Sequence, residues 1–395
     1  MPDLARRNVA ILGSTGSIGT ATLEVIEGLG APYHVWAVTA HRQRAVLQEQ
    51  IVRFRPERAV LTDQNAARLE FSDDSNSVRS SATQLFHGSE ALIELVSHPD
   101  VDIVVAGIVG SAGLASSLAA ARAGKTLALA NKESLVVAGS LMMDAVQSNG
   151  ARLLPIDSEH SAVFQALACG KSLDQVRRII LTASGGSLRD MPVAKLEQAT
   201  VEQALNHPTW SMGRKITVDS ATMMNKSLEI IEARWLFNIA PEKISVVIHP
   251  QSVIHSMVEF IDGSVIAQLC PPDMRLPIQY ALTYPERISG PARRVDWTVP
   301  MALDWKSADL DRYPALRLGY EVAAAGGTAG AVLNGANEAA VELFLAGQIR
   351  FTEIEKVCRI VIQNHTFDPS PTLDELLSLD GWARTEVQRW KQLEC

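Results

Sequence analysis

Between His207 and Glu232 the chain reads HPTWSMGRKITVDSATMMNKSLEIIE. Ser220, Thr222, Asn225, Lys226 and Glu229 there bring two hydroxyls, an amide, an ammonium and a carboxylate into about three helical turns. The aliphatic residues suffice to seat a helix, but they do not account for those polar groups. Asn225 and Glu229 stand four apart and share a helical face, with Lys226 beside them. Hydroxyl, amide and ammonium groups suit a phosphate, and a carboxylate suits a hard cation.

Asp157-Ser158-Glu159-His160 closes an apolar run and, if extended, projects Asp157 and Glu159 to one side. Two carboxylates that close repel each other unless a proton or cation lies between them, and oxygen-only ligands favour Mg²⁺ or Mn²⁺ over zinc. Glu229 is the candidate third carboxylate, and His160 reads as a helix-start or supporting residue rather than a ligand. Ser184-Gly185-Gly186 follows another apolar run and offers a hydroxyl and exposed backbone N–H groups to a phosphate. His207-Pro-Thr-Trp210-Ser-Met-Gly213 has the composition of a lid, with large apolar residues flanked by proline and glycine. Asn131-Lys132-Glu133 stands at the carboxyl end of an apolar strand, where open α/β sheets bind ligands.

A second chemistry is written near the N-terminus. Val9–Leu12 runs into Gly13-Ser-Thr-Gly16-Ser-Ile-Gly19 and then a helix from about Thr20 to Glu27. Such a turn lets the backbone approach a pyrophosphate while the helix N-terminus supplies N–H groups. The GxxGxxG spacing is one residue wider than the common fingerprint. About 20 residues on, where an acid would grip the ribose of NAD, the chain reads Ala40-His41-Arg42-Gln43-Arg44, which favours NADP(H) with Arg42 or Arg44 on its 2′-phosphate.

The elements that must position these groups follow from periodicity. Strands are expected at Val9–Leu12, His34–Val38, Ala59–Leu61, Ile103–Ala106, Leu127–Ala130 and Leu153–Ile156, with helices between. That is an α/β, Rossmann-like doubly wound parallel sheet over residues 1–156. Strands at Ile179–Thr182, Val246–Ile248, Ser256–Phe260 and Val265–Leu269, the last two joined by an Asp262-Gly263 hairpin, define a central α+β domain over 157–284, with a lid at 205–214. Its open sheet face is a candidate homodimer surface. Residues 285–315 read as a proline-punctuated linker, and 316–395 as a C-terminal helical bundle with helices at Leu333–Leu345, Phe351–Gln363, Leu373–Leu377 and Trp382–Leu393.

Composition bounds the partners. At 395 residues and 47% hydrophobic the chain is a multidomain soluble type, and a net charge of −8 offers no basic stripe for nucleic acid. Cys169, Cys270, Cys358 and Cys395 have no paired spacing and read as reduced thiols in a cytoplasmic protein. The N-terminus shows no signal segment. Ile103–Ala121 lacks charge but is rich in Gly, Ala and Ser, so it reads as a buried strand, glycine loop and helix rather than a membrane span.

Together these motifs closely resemble the 1-deoxy-D-xylulose 5-phosphate reductoisomerase family. The resemblance is carried by Gly13–Gly19, Ala130-Asn-Lys-Glu-Ser134, Asp157–His160, Thr182-Ala-Ser-Gly-Gly186, His207–Gly213, Val218–Lys226, Leu228-Glu229, His249-Pro-Gln-Ser252, Pro272-Asp-Met274 and Leu333-Asn-x-Ala-Asn-Glu338. It implies an NADPH-dependent enzyme that rearranges and reduces a sugar phosphate in isoprenoid precursor synthesis. It implies that Asp157, Glu159 and Glu229 hold Mg²⁺ or Mn²⁺, and that Ser184, Ser220, Asn225 and Lys226 bind the phosphate. Lys132 and Ser158 would contact the carbon chain, and His207 and Trp210 would close the lid. Lys132, Glu159 and His207 are the expected catalytic groups. Thr15, Gly16, Ser17, Ile18, Arg42, Gln43, Asn131, Lys132, Glu133 and Gly213 are the expected cofactor contacts.

Four departures stand out: Ala40–Gln43 for a usual Gly-x-Asn, Ser187-Leu188 for Pro-Phe, Ser227 for a glycine and Cys270 for a glycine. One rival reading is an NADP-dependent semialdehyde or homoserine dehydrogenase, whose aldehyde-oxidising form needs a nucleophilic cysteine. Cys169 and Cys270 sit in apolar sequence without a nearby histidine motif. A non-catalytic NADPH sensor is the other, and it leaves the carboxylates and phosphate cluster unexplained.

Overall fold

The computed structural model describes residues 6–63 and 82–394, so Cys395 and the first five residues lie outside it. The chain divides into two compact units. The first holds residues up to Asn131, Met142–Ser158 and Asp273–Arg293, and the second Lys132–Leu141, Glu159–Pro272 and Arg294–Cys395.

In the first unit seven strands form one parallel sheet: β1 (Arg7–Leu12), β2 (Tyr33–Ala40), β3 (Arg58–Leu61), β4 (Gln84–His87), β5 (Ile103–Ala106), β6 (Thr126–Leu129) and β7 (Arg152–Pro155), in the order β4-β3-β2-β1-β5-β6-β7. Val9–Leu12 and Ile103–Ala106 are buried at every position, as strands covered on both faces must be. Helices α1 (Ser17–Leu29), α2 (Arg44–Phe54), α3 (Glu90–Ser97) and α4 (Leu114–Arg122) alternate with them, and α5 (Glu133–Ser148) follows β6. Ile103–Ala121 is therefore strand, loop and helix, and no described helix is long and apolar enough to cross a membrane. A late segment, α10 (Arg275–Thr283), returns to this unit and packs on α1, where Gly28 leaves room for the ring of Pro291.

The second unit is built on a mixed sheet of β8 (Val176–Ala183), β9 (Ile244–Ile248), β10 (Ile254–Phe260), β11 (Val265–Leu269) and β12 (Lys306–Ser307), ordered β11-β10-β8-β9-β12. β8 and β9 are parallel and the remaining pairs antiparallel. The β10–β11 hairpin turns through Asp262 and Gly263, the glycine at φ 89° and the aspartate carboxylate accepting from the Ser264 N–H at 2.9 Å. Around it lie α6 (Ser158–Leu167), α7 (Val201–Leu205), α8 (Arg214–Thr222) and α9 (Met224–Leu236), then α11 (Pro314–Ala325), α12 (Ala329–Leu345), α13 (Glu353–Asn364) and α14 (Leu373–Glu394). A single apolar core joins β8, α9, α11, α12 and α13.

Three details differ from the periodicity reading. The polar run of Ser220–Glu229 is two helices, broken at Met223, whose φ of 64° ends α8 and begins α9. Leu373–Leu377 and Trp382–Leu393 are one helix, which runs on through Gly381. The short strands β4 and β12 were not expected: each has exposed positions and too few residues to show an alternation.

Candidate active site

In the first unit the glycine turn has a steric cause at each end. A Cβ on Gly19 would stand 2.3 Å from Ser14 Cα, and Gly13 takes φ +75° with its Cα side against the Gly107 carbonyl. These approaches fold residues 13–16 tightly under the start of α1, whose N-cap, Gly16, has no side-chain cap, so the first N–H groups of α1 stay available to an anion. Ser14 is buried, its hydroxyl on the Thr39 carbonyl (3.0 Å) and Gln50 Oε1 (2.6 Å), and Thr39 Oγ1 accepts from the Gly13 N–H at 2.9 Å. Thr15, Gly16, Ser17 and Ile18 thus form the turn and first residues of α1.

At the end of β2, Arg42 is exposed yet pairs with Asp63 at 2.8 Å, and Gln43 caps α2. This partner of Arg42 comes from the end of β3, 21 positions on, and no local reading of the sequence reveals it. Asn131 turns its amide onto the Ile108 and Gly110 carbonyls, the latter at 2.9 Å, and so closes the loop after β5.

In the second unit Lys132, Glu159, Asn225, Lys226 and Glu229 meet. Lys132 Nζ donates to Asn225 Oδ1 and Glu229 Oε1, both at 2.9 Å. Lys226 Nζ lies 2.8 Å from Glu159 Oε1 and in close contact with Glu229 Oε2. Glu229, Lys226 and Lys132 are all buried, at 1%, 3% and 6% exposure. Burial disfavours the Lys226 ammonium, yet the carboxylates of Glu159 and Glu229 outweigh it and hold its pKa above the ordinary lysine value. Carboxylate oxygens of Glu159 and Glu229 come within 4.8 Å of each other. Asp157 and Ser158 stand just before Glu159 at the start of α6.

His160 is engaged apart from the carboxylates of this pair. Fully buried, it holds the Glu229 backbone carbonyl through Nε2 at 2.9 Å, stacks on Phe237 and approaches Glu232 at 3.4 Å.

The segment expected to form the lid is anchored by His207. Its Nδ1 accepts the backbone N–H groups of Thr209 (3.2 Å) and Trp210 (2.9 Å), so the ring proton is on Nε2 and is donated to Ser184 Oγ at 2.9 Å. Burial, helped by the positive Arg189, pushes the His207 pKa down and keeps the ring neutral. Ser184 leads into Gly185-Gly186, and a Cβ on Gly186 would stand 2.5 Å from the Ser220 carbonyl, so the glycine lets this loop lie directly on α8. Ser184, Ser220 and the anchored lid are thereby brought to one place. Trp210 tilts over His255 at 6.2 Å between ring centroids.

Neighbouring residues are engaged locally. Thr222 spends its hydroxyl on the helix junction, accepting from the Met224 N–H and donating to α8 carbonyls, so it is not free for a ligand. Glu133 is buried against Lys215 at 3.2 Å. Burial would raise its pKa, but the ammonium groups of Lys215 and Lys132 and a backbone N–H pull it below the ordinary value. Gly213 is the N-cap of α8. Cys270, without a histidine near it in sequence, lies 3.1 Å from His255 Nε2, with both residues buried.

Two of the four departures are accommodated locally. Ser187 donates to the Ala204 carbonyl while Leu188 enters the core. Ser227 donates to the Ala315 carbonyl at 2.6 Å and packs against Gly319 of α11, where a Cβ would stand 2.7 Å from Ser227 Cα.

A Rossmann-like sheet with an anion-binding glycine turn, joined in one chain to a buried acid–amine cluster, places the protein among the dinucleotide-dependent oxidoreductases. Three family profiles match it: "1-deoxy-D-xylulose 5-phosphate reductoisomerase" over residues 9–139, its "C-terminal domain" over 153–237, and "DXP reductoisomerase C-terminal domain" over 269–386. Relatives carrying that enzyme's name include one from Rhodopirellula baltica, 48% identical over 100% of this chain and 98% of the relative. Another, from Nitrosomonas europaea, is 51% identical over 97% and 94%. A crystal structure of DOX-P reductoisomerase in complex with NADPH, fosmidomycin and magnesium is 41% identical over 98% of each chain, with a TM-score of 0.91. The Zymomonas mobilis enzyme in complex with NADPH is 43% identical over 98% of this chain and 99% of its own, at 0.90. The chain belongs to the 1-deoxy-D-xylulose 5-phosphate reductoisomerase family.

Proposed function

We propose that Glu159 and Glu229, with Asp157, hold the divalent metal with which this chain rearranges and reduces 1-deoxy-D-xylulose 5-phosphate to 2-C-methyl-D-erythritol 4-phosphate, NADPH being the reductant. The observation that carries the assignment is the convergence of the buried Glu229 and the half-buried Glu159, whose carboxylates both contact Lys226 and lie close enough to share one cation. The donor set is all oxygen, which fits Mg²⁺ or Mn²⁺, and a related enzyme has been crystallised with NADPH, fosmidomycin and magnesium. When bound, the metal polarises the substrate carbonyl and acidifies a chelated hydroxyl, and NADPH supplies hydride.

The chain's own groups divide the remaining work. Ser184, Ser220, Asn225 and Lys226 bind the phosphate, a remote anchor whose binding energy seats the lid. Neutral His207 holds Ser184 Oγ as an acceptor, leaving that hydroxyl's proton for the phosphate. Lys132, buried beside Asn225 and Glu229, orients the carbon chain with Ser158, and Trp210 covers it and excludes water. Lys132, Glu159 and His207 are the catalytic groups in this assignment. On the cofactor side Thr15, Gly16, Ser17 and Ile18 cradle the pyrophosphate. Asn131, Lys132, Glu133 and Gly213 are further cofactor contacts in this assignment, and Arg42 with Gln43 receives the 2′-phosphate.

By region, residues 1–156 carry the cofactor, 157–284 the metal and substrate with the lid at 205–214, 285–315 link, and 316–395 support. The chain is a homodimer through the open face of the second sheet, where β9 and β11 are incompletely covered. Cys169, Cys270 and Cys358 form no disulfide, which suits the reducing cytoplasm.

The test follows NADPH absorbance with deoxyxylulose phosphate, after EDTA and after adding Mn²⁺ or Mg²⁺. Oxidation that persists in EDTA removes the metal role. Glu229→Gln should cut turnover by about 100-fold or more while NADPH affinity holds, and a rate within a few-fold of the parent would show that Glu229 is no ligand.

A further inference from the structure

The sequence Leu333-Asn-Gly-Ala-Asn-Glu338, singled out above, has no part in the site as assigned, yet each of its polar residues is engaged. Asn334 Nδ2 donates to Asp380 Oδ1 at 2.7 Å, and Glu338 Oε2 accepts from Arg384 at 2.7 Å. Gly335 lets the Asp380 carbonyl of α14 approach to where a Cβ would stand only 2.2 Å away. Asn337, fully buried, donates through Nδ2 to Asp219 Oδ1 on α8 at 2.9 Å. Asp219 is 1% exposed, and its other oxygen takes the Lys215 ammonium at 2.9 Å. Burial opposes that ammonium, but Asp219, Glu133 and Glu338 keep it charged. The motif therefore ties α12 to α14 through Asn334 and Glu338 and to α8 through Asn337.

The helix it grips cannot hold its own position. α8 has nine residues, no side-chain cap at Gly213 and a left-handed residue at its end. On one side the Gly186 backbone lies on Ser220 and Ala221, and on another the Asp219–Asn337 bond fixes the rotation and axial setting. Apolar packing tolerates a helix slipping by a few tenths of an ångström, whereas a buried carboxylate bonded to an amide loses energy steeply on misalignment and cannot turn to water.

We propose that Asp219 and Asn337 are positioning residues for the substrate phosphate: their bond sets α8, and hence Ser220 and the junction at Met223 from which Asn225 and Lys226 are placed. The C-terminal helices thus take part in sugar phosphate affinity without touching the sugar phosphate. The proposal rests on the assignment of Ser220, Asn225 and Lys226 to that phosphate.

The experiment measures kcat, both KM values and the melting midpoint for Asn337→Ala, Asn337→Asp, the exchange Asp219→Asn/Asn337→Asp, and Lys226→Met. Asn337→Ala should raise the sugar phosphate KM about tenfold and leave the NADPH KM within about twofold. Asn337→Asp sets two carboxylates together and should do worse, and the exchange, which restores one amide and one carboxylate, should lower KM at least about threefold from that single variant. A purely architectural role predicts the opposite pattern, a lower melting midpoint with unchanged KM, and would overturn the proposal, as would an exchange no better than Asn337→Asp. If Asn337→Asp is insoluble, Asn337→Ala decides alone. An unchanged KM in Lys226→Met overturns the phosphate assignment itself, whereas a raised KM there with unchanged KM in the Asn337 variants overturns only the positioning role.

Discussion

At the scale of single residues, His207 shows how a backbone can choose a tautomer. Two N–H groups aimed at Nδ1 leave only Nε2 to carry the proton, and burial lowers the pKa. A depressed histidine pKa means that the fold prefers the neutral ring. Its contribution to the order of residues 207–210 is complete above the ordinary histidine value of 6.5 and is lost as pH falls through the lowered pKa, when a proton on Nδ1 would face two donors. Nitrogen-15 NMR of labelled histidine should report the Nε2–H form at neutral pH and a midpoint below 6.5; a midpoint at or above that value contradicts the geometry. The residue types of this site were legible: Ser184, Asn225, Lys226 and Glu229 were singled out by chemistry that packing does not need. Asp219 was not, because in Val-Asp-Ser-Ala-Thr it reads as one more polar group of the same cluster. Only the fold reveals that it faces Asn337, 118 positions away.

At the scale of elements, glycines set the distances between pieces that bind. Gly19→Ala should force α1 off the turn at Ser14, raising the NADPH KM about tenfold or more with the sugar phosphate KM held, as read from initial rates. Gly186→Ala meets both a φ of +71° and the Ser220 carbonyl, so it should cost about 1–3 kcal/mol of stability and raise the sugar phosphate KM. A melting midpoint and sugar phosphate KM both equal to the parent's would contradict the close approach. Most elements could be read from sequence because burial on both faces leaves runs such as Val9–Leu12 wholly apolar. The break at Met223 could not, since methionine is a good helix former and its left-handed conformation is imposed by the packing of α8 and α9.

At the scale of the molecule, the chain crosses from one compact unit to the other after residues 131, 141, 158, 272 and 293. Periodicity does not disclose which core a helix will join, so the return of α10 to the first unit was invisible in sequence. A fragment ending at Ser158 therefore lacks the helix that covers α1. It should melt several degrees, about 5 °C or more, below the same fragment with residues 273–293 appended through a flexible linker, as followed by circular dichroism. Equal melting would mean that α10 contributes nothing to the sheet it packs beside.

The contact of Ser227 with Gly319 carries a consequence for how this sequence can drift. A Cβ on Gly319 would stand 2.7 Å from both Ser227 Cα and Cβ and 3.0 Å from the Ser227 carbonyl oxygen, so backbone as well as side chain blocks it. Position 319 is therefore held to glycine whether residue 227 is serine or glycine. Position 227 is freer, since glycine there loses only a small side chain and its hydroxyl on the Ala315 carbonyl. Mutational history at this contact should be one-sided, with variation on α9 and constancy on α11.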